Sequence, residues 1–384
     1  MNKKNLSILM LSTDRTILDP GSSAASRMRE YGDKIKRLVV VVGSDFSSPG
    51  AAVSLSEKVT VFPARSSSRL FRPVSLFARA RNIMLGDHFD VVTAQDPFET
   101  GFVGMRLSRR FKTAFEVQVH TDLFSPYFRR TSFINRVRLL FVGRVIPRAN
   151  VVRVVFSRLK TEITERGFSV PEKIEVLPIA VPLDEIRGAK RVFRFGERFA
   201  GLHFFAVTVA RLEKEKNIET AISVMSEIIS RYPFVGYVIV GDGSLRERLE
   251  KCAGPLLDRN IFFMGYAENV ISYLKGANIF FLPSFYEGFG LVFIEAAACH
   301  IPIVATEVGI MGSLFRDGKE ALVCPVGDRE CLSRSIVRLI ENNGLREELT
   351  LAAETLVEKE FTESDIKYPD KVTDLWEKAA KSLR

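Results

Sequence analysis

The sequence is poor in the side chains that most often bind metal ions. Its 384 residues include four cysteines and four histidines, and neither set has the spacing of a metal site. Cys299 and Cys324 lie among apolar residues, so we expect buried free thiols, which are typical of a reducing compartment. We therefore expect no protein-bound metal ion and no resident cofactor.

Long apolar runs are also missing. No stretch reaches the roughly 20 residues that a helix needs to cross a bilayer. Lys3 and Lys4 lead directly into the first predicted strand, so we expect neither a signal peptide nor a membrane helix, and a cytoplasmic location. The 46% hydrophobic content over 384 residues is enough for two domain cores.

Apolar runs of strand length alternate with helical stretches along the whole chain. The predicted strands span 6–11, 38–42, 91–94, 114–119 and 151–156, then 203–209, 235–240, 261–264, 277–282, 301–305 and 321–324. A polar break at 181–200 separates the two sets, and an amphipathic helix is predicted at 362–384. The pattern predicts an α/β protein with two doubly wound domains, residues 1–185 and 186–361, joined by a short linker and facing a central cleft.

The most informative segment surrounds Glu287 and Glu295, which are separated by seven residues. The first lies in a loop with Gly288 and Gly290, and the second lies in the Ala-rich helix predicted at 291–299. Ligands of parallel sheets bind where strand C-termini meet helix N-termini. A capping role or an ion pair explains one such Glu, because a carboxylate in an apolar helix needs a partner. Two of them, beside glycines that let a ligand approach the backbone, predict a binding site.

This segment resembles the signature of the retaining glycosyltransferases of family 4, which have the GT-B fold and the pattern E-G-F-G-x-x-x-x-E-A. The resemblance implies that Glu287 contacts the donor sugar and that Glu295 binds the ribose hydroxyls of the nucleotide. A carboxylate offers two acceptor oxygens to such a diol, so the assignment is chemically reasonable. The implied donor loop consists of Gly288, Phe289, Gly290 and Leu291. The family also implies metal independence.

A second cluster opens the C-terminal half at residues 207–217. It resembles the family's G-R-L-x-x-x-K-N element, with Ala210 in place of the glycine. The resemblance implies that Arg211 and Lys216 bind the donor diphosphate, Arg through a planar fork and Lys as a point charge. Without the Glu287–Glu295 element the cluster would be interpreted as a solvated charge run, because Glu213, Lys214 and Glu215 lie within it.

Other matches are weaker. The family implies a nucleobase site at Met264, Gly265 and Tyr266, and a donor–acceptor loop at Gly21. It places a His beside the donor sugar, and His120 follows a predicted strand at the matching position. The 240–243 segment is interpreted as an ordinary strand–turn–helix joint. The last helix of GT-B proteins commonly crosses back to the first domain, so 362–384 is expected to do so.

The chain departs from the family at two places. His300 stands where a glycine is usual after the signature helix. Residues 309–313, Gly-Ile-Met-Gly-Ser, replace a Gly-Gly turn followed by Glu. The second departure leaves the donor identity open.

Positive charge is concentrated in the first half. Residues 1–190 contain 31 Lys and Arg against 18 Asp and Glu, a surplus of 13, whereas the remainder has a deficit of 4. Between Arg129 and Arg148, arginines alternate with apolar residues at helical spacing, which is typical of a membrane-surface helix. A core-packed helix with a solvated basic face is the equal alternative. No nucleic-acid-binding module accompanies the charge, so nucleic acid is not an expected partner.

The resemblance thus implies a metal-independent, retaining, hexosyltransferase-type enzyme in which Glu287 and His120 act at the sugar. It would move a sugar from a nucleoside diphosphate sugar to a hydroxyl acceptor, a glycan or lipid-linked glycan in cell-surface polysaccharide synthesis. The expected location is cytoplasmic and peripheral on the inner face of the membrane. The alternatives are a sugar phosphorylase or epimerase, a non-catalytic nucleotide-sugar-binding protein, and a nucleic-acid-binding protein.

Overall fold

The computed structural model describes residues 3–383, apart from the side chains of Thr131 and residues 362–366. The described part excludes Met1 and Asn2, which belong to the segment where no signal peptide is expected. It also excludes the side chain of Ile366, which belongs to the amphipathic helix predicted at 362–384. The chain forms two compact units. The first comprises Met1–Pro178 and Ile366–Arg384, and the second comprises Ile179–Asp365.

The first unit is built around an eight-stranded sheet. Its strands are Ser7–Ser12 (β1), Arg37–Ser44 (β2), Val53–Ser56 (β3), Val59–Arg65 (β4), Val91–Ala94 (β5), Ala114–Val119 (β6), Val151–Val154 (β7) and Ile174–Val176 (β8). Its helices are Ser23–Lys34 (α1), Arg72–Gly86 (α2), Glu99–Phe111 (α3), Pro126–Thr131 (α4), Phe133–Val145 (α5) and Ser157–Glu165 (α6). The order is β3-β4-β2-β1-β5-β6-β7-β8, parallel except where β3 meets β4. Strands β1, β5, β6 and β7 are buried at every residue, as expected where helices cover both faces of a parallel sheet.

The second unit contains a six-stranded, all-parallel sheet. Its strands are Phe204–Val209 (β9), Val235–Val240 (β10), Ile261–Gly265 (β11), Ile279–Leu282 (β12), Ile303–Thr306 (β13) and Leu322–Cys324 (β14). Its helices are Leu183–Gly188 (α7), Phe195–Arg198 (α8), Ile218–Arg231 (α9), Arg246–Ala253 (α10), Val270–Leu274 (α11), Leu291–Ala298 (α12) and Arg329–Glu341 (α13), followed by Asn343–Lys381 (α14). The order β11-β10-β9-β12-β13-β14 reverses direction between β9 and β12. Loops that follow strands at such a switch point are where open α/β sheets bind ligands.

The polar break expected at 181–200 is not a free linker. It forms α7 and α8, and it packs through aromatic side chains that are spaced among its charged residues. Phe195 is buried and stacks on Phe205 with ring centroids 4.9 Å apart, and Phe193 stacks on Tyr273 at 4.6 Å. Packing of these rings stabilises an ordered structure in a segment whose polar composition had suggested a linker.

Helix α14 continues from the second unit into the first. Within its last part, Trp376 is buried and meets the ring of Tyr31 edge-on, with centroids 5.8 Å apart. Asp370 of the same helix accepts hydrogen bonds from the ammonium groups of Lys3 at 2.8 Å and Lys34 at 2.9 Å. These contacts fix the final turns of the chain on the first unit.

The prediction for Cys324 is wrong. It is not a free thiol, because it forms a disulfide with Cys331 across the β14–α13 connection. The two positions approach because only a short loop separates the end of β14 at Cys324 from the start of α13 at Arg329, and the sequence analysis did not predict this pairing. Cys299 is free and buried, and burial raises its pKa to about 12. Among the described residues, no helix is long and apolar enough to cross a membrane.

Candidate functional site

Two loops meet at the switch point of the second unit, one after β9 and one after β12. Asn217 lies in the left-handed region with φ 53° and begins α9. Its side-chain amide donates to the carbonyl of Pro283 at 3.1 Å, and the Phe285 amide donates to the carbonyl of Glu215 at 2.8 Å. The two loops are therefore joined by direct hydrogen bonds at the carboxyl edge of the sheet.

The centre of this site is an ion pair between Lys216 and Glu287. The Lys216 ammonium lies 2.7 Å from Oε1 and 2.8 Å from Oε2 of Glu287, and the two side chains are only 15% and 8% exposed. The Ser284 hydroxyl donates to the same carboxylate at 2.7 Å. Thr306 in turn donates to the Ser284 carbonyl at 2.6 Å. A nearly buried ion pair persists only when further hydrogen bonds satisfy it. Here the hydrogen bond comes from Ser284 in the loop after β12, which Thr306 of β13 holds in place.

The backbone around the donor loop is tightly packed. Gly290, with φ 94°, is the residue from which α12 begins. Gly309, with φ 58°, leaves no room for a side chain, because a Cβ there would lie 2.5 Å from the carbonyl oxygen of Phe289. The Ile310 amide donates to that carbonyl at 3.1 Å. The altered 309–313 loop thus packs directly on the donor loop, in which Phe289 is buried and Leu291 is partly exposed.

Glu295 lies in α12 and is half-buried. Burial raises the pKa of its carboxyl group, and no neighbouring charge is among the causes. Across residues 3–383 as described, no side chain donates to it. A half-buried carboxylate without a partner is costly for folding, which is typical of a group kept for a ligand.

Arg211 is not drawn into the Lys216–Glu287 pair. Its side chain is 73% exposed and forms an ion pair with Glu215 at 2.9 Å. Behind it, Gly241 packs so closely that a Cβ would lie 1.9 Å from the carbonyl oxygen of Ala210. The glycine in the 240–243 joint is therefore required by packing, as the structural interpretation predicted.

The weakly matched nucleobase segment ends β11. Gly265 has φ 71°, and its carbonyl accepts a hydrogen bond from Gly241 at 2.8 Å. Met264 is half-buried, and Tyr266 is 78% exposed. The segment lies at the carboxyl edge of the second sheet, next to β10.

His120 and Gly21 belong to the first unit. His120 follows β6, and its Nε2 lies 2.9 Å from Oε1 of Gln118. Burial, with Arg153 and Arg27 nearby, lowers the pKa of His120 to about 3, so its ring is neutral. Gly21 lies in an exposed turn before α1, where its amide donates to Asp19 at 3.0 Å.

The state of the His120 ring follows from its neighbours. Arg153, which only donates, approaches Oε1 of Gln118 at 3.4 Å, so that atom is the amide oxygen. The His120 Nε2 must therefore carry the proton that it shares with Gln118. Nδ1 is left with a lone pair and has no partner among the described residues.

Sequence reasoning missed the residues that support the site. Ser284 is a small polar residue two positions after the apolar strand β12, and Thr306 is the last residue of the apolar strand β13. Their places at the ends of apolar strands were the only sequence signal for them. Gln118 and Arg153 are polar residues inside apolar strands, and Arg153 also donates to the hydroxyl of Tyr368 in α14.

Two family models match this chain. The glycosyl transferases group 1 model matches residues 190–355, and the glycosyl transferase 4-like domain matches residues 24–180. The chain belongs to the group 1 glycosyltransferases. The resemblance to family 4 is confirmed, and so is the predicted GT-B fold class with two Rossmann-like domains.

Curated relatives of this glycosyltransferase are distant. The phosphatidyl-myo-inositol mannosyltransferase of Mycobacterium leprae is 23% identical, over 87% of this chain and 86% of that protein. A Campylobacter jejuni enzyme, N-acetylgalactosamine-N,N'-diacetylbacillosaminyl-diphospho-undecaprenol 4-alpha-N-acetylgalactosaminyltransferase, is 26% identical over 60% of this chain and 62% of its own. Among solved structures, Anabaena HepE in complex with UDP matches with a TM-score of 0.72 and 18% identity, covering 96% of this chain and 100% of that one.

Proposed function

We propose that this glycosyltransferase moves a sugar from a nucleoside diphosphate sugar to a hydroxyl group of a glycan or lipid-linked glycan, with retention of the anomeric configuration. The observation that carries the proposal is the Lys216–Glu287 pair at the switch point, together with Glu295 of α12, to which no described side chain donates. Lys216 is a cation suited to the diphosphate, and Glu287 is an anchored carboxylate suited to the sugar hydroxyls. Glu295 is a second carboxylate, suited to the ribose diol.

The names of similar proteins support the substrate class. HepE was solved with UDP, and the Campylobacter and Mycobacterium enzymes are named for lipid-linked acceptors. The family resemblance supports retention and a place in cell-surface polysaccharide synthesis. The proposed location is cytoplasmic and peripheral at the membrane.

The proposed chemistry needs no protein nucleophile. When the anomeric C–O bond breaks, charge develops on the diphosphate, and Lys216 and Arg211 stabilise it. The acceptor hydroxyl attacks from the face of the leaving group and passes its proton to a phosphate oxygen. Glu287 already accepts from Lys216 and Ser284, so its role is to orient the sugar. His120, neutral and oriented by Gln118, contributes a polar contact to the sugar and no charge.

The proposal is tested by binding and turnover together. Nucleoside diphosphates, starting with UDP, are screened by thermal shift, since a ligand at a hundred times its Kd stabilises by about 2.7 kcal/mol. The matching nucleotide sugars are then incubated with glycan and lipid-linked acceptors, with and without EDTA. We expect one base to stabilise the protein and transfer to continue in EDTA. A protein that binds no nucleoside diphosphate contradicts the proposal, and release of sugar phosphate on addition of phosphate identifies a phosphorylase.

A further inference from the structure

A cavity of about 410 Å³ lies in the first unit, beside the loop that follows β6. Its wall is apolar on two sides. Phe124 and Phe168 stack there with ring centroids 6.0 Å apart, and Leu139 and Val142 of α5 also line it. This volume is in the lower range of small-ligand sites, and such walls favour the burial of a hydrocarbon segment.

Three arginines line the same cavity, Arg129, Arg130 and Arg166, and the Arg166 guanidinium lies over the Phe124 ring, 4.4 Å from its centroid. Among the side chains that the structure describes, none of the three forms an ion pair with a carboxylate. Asp122 does not neutralise them, because it pairs with Arg158 at 2.7 Å. Arginines that have no carboxylate partner and are grouped at one cavity favour an anionic ligand, and the guanidinium fork fits phosphate oxygens.

A different face of α5 is also apolar, and it is exposed. Phe133 is 76% exposed, and Ile134, Val137 and Leu140 on the same helix are also exposed. Leu139, on this same helix, reaches the cavity. The surface available to a chain attached to an anionic group at the arginines is therefore the cavity wall itself, formed by Leu139, Val142 and the stacked rings. A free phosphate would leave this wall unused.

We propose that this cavity binds the phosphate or diphosphate group of one lipid-linked acceptor molecule, through Arg129, Arg130 and Arg166, with the first part of its hydrocarbon chain against the apolar wall. The inference rests on the proposed function, since it names the acceptor of that reaction. The loop that forms the cavity begins at His120, so the lipid phosphate binds next to the strand end that is assigned to the transferred sugar.

The test uses geranyl diphosphate, a soluble molecule that carries a short isoprenoid chain on a diphosphate. Binding is measured by calorimetry on the full chain saturated with UDP, so that the nucleotide site is filled. Replacing Arg129, Arg130 and Arg166 together by Gln is expected to weaken binding by at least about tenfold, because charge-assisted phosphate contacts are lost. The control variant replaces Arg109, Arg144 and Arg148 by Gln, which removes equal charge from exposed positions outside the cavity, and should change binding by less than about twofold. Arg166→Gln alone serves as the test if the triple variant does not fold.

Several results would overturn the inference. Absence of geranyl diphosphate binding would do so, as would equal losses in the two triple variants, which indicate only a general positive field. Inorganic diphosphate binding as tightly as geranyl diphosphate would show an ion site without a lipid. UDP binding is measured first and separately. Lack of UDP binding would contradict the proposed function, whereas lack of geranyl diphosphate binding to the UDP-bound protein would contradict only the acceptor site.

Discussion

Glu295 shows how a single residue trades stability against binding. Its raised pKa means that the folded protein disfavours the ionised carboxylate. The free energy of unfolding therefore falls as the pH rises from the ordinary pKa of Glu through the raised pKa of Glu295. Above the raised pKa the full loss persists. A ribose diol that donates to both oxygens would offset this cost. The residue is thus expected to weaken the empty protein and to strengthen the nucleotide complex.

We therefore predict opposite effects for Glu295→Gln. The melting temperature should rise at about pH 8 and change little at about pH 4, where wild-type Glu295 is protonated. UDP affinity should fall by about tenfold or more, because a charge-assisted hydrogen bond contributes about 1.5–3 kcal/mol. Melting curves at both pH values and calorimetric titration with UDP measure the two effects. Unchanged UDP affinity in the folded variant would exclude the ribose assignment.

The roles of Arg211 and Lys216 should be distinguished by measuring UDP affinity and protein stability for each Ala variant. Both substitutions to Ala are expected to weaken UDP binding by about tenfold, through loss of a diphosphate contact. Only Lys216→Ala should also destabilise the protein, by about 3–5 kcal/mol, because it leaves Glu287 buried without its cation. Arg211 is exposed, so loss of its pair with Glu215 should cost no more than about 1 kcal/mol.

The matched control for these two variants is Lys214→Ala in the same short segment. Lys214 is exposed and lies outside the family's phosphate positions, so both UDP affinity and stability should stay near wild type. Equal losses of UDP affinity in all three variants would show a diffuse basic field in place of a defined diphosphate site.

At the scale of elements, the structure explains why His300 can replace the glycine that is usual in the family. It has φ 58° and ends α12 in a Schellman motif, in which the His300 amide donates to Ala297 and the Ile301 amide donates to Ala296. Glycine is usual at this position because it adopts the left-handed conformation without strain. Here the imidazole lies 3.1 Å from the Glu354 carboxylate on α14, a contact that a glycine cannot make.

Comparing His300→Ala with His300→Gly isolates the strain. Both variants lose the contact with Glu354, but only Ala keeps a Cβ in the left-handed region. We expect the Gly variant to be more stable than the Ala variant by about 1 kcal/mol, measured by urea unfolding. Equal stability of the two would mean that the turn relaxes when the side chain is shortened. Neither variant should alter UDP binding.

Elements were predictable where burial is continuous. Strands β5, β6 and β10 were predicted at their observed bounds because apolar residues fill both faces. The short strands β3 and β8 were missed, since both carry polar residues, and so was β4, which contains Pro63. The candidate site residues could be named from motifs, but not their contacts. Lys216 and Glu287 are 71 positions apart, and only the folded sheet brings them together.

At the scale of the molecule, fewer arginines are free on the basic face of α5 than the sequence indicated. Arg138, counted with the basic face of α5, is not free, because it pairs with Glu99 at 2.9 Å and stacks over Phe98. Arg136, Arg144 and Arg148 are exposed, and Arg144 and Arg148 donate to backbone carbonyls one turn earlier. A basic face next to exposed Phe133 and its apolar neighbours is typical of helices that lie on membrane surfaces.

We therefore predict that the protein binds anionic vesicles without a spanning helix. Each engaged basic residue contributes about 1 kcal/mol near such a surface, and the attraction decays within a Debye length. Sedimentation with phosphatidylglycerol vesicles should occur at low salt and fade towards about 0.5 M. Replacing Arg136, Arg144 and Arg148 by Gln should weaken it by about tenfold or more, whereas Phe133→Ser should remove the part that resists salt. UDP binding should be unchanged in both variants, because the residues assigned to the nucleotide belong to the second unit. If the wild-type protein stays in the supernatant at low salt, the basic face binds an anionic soluble acceptor and the peripheral location is wrong.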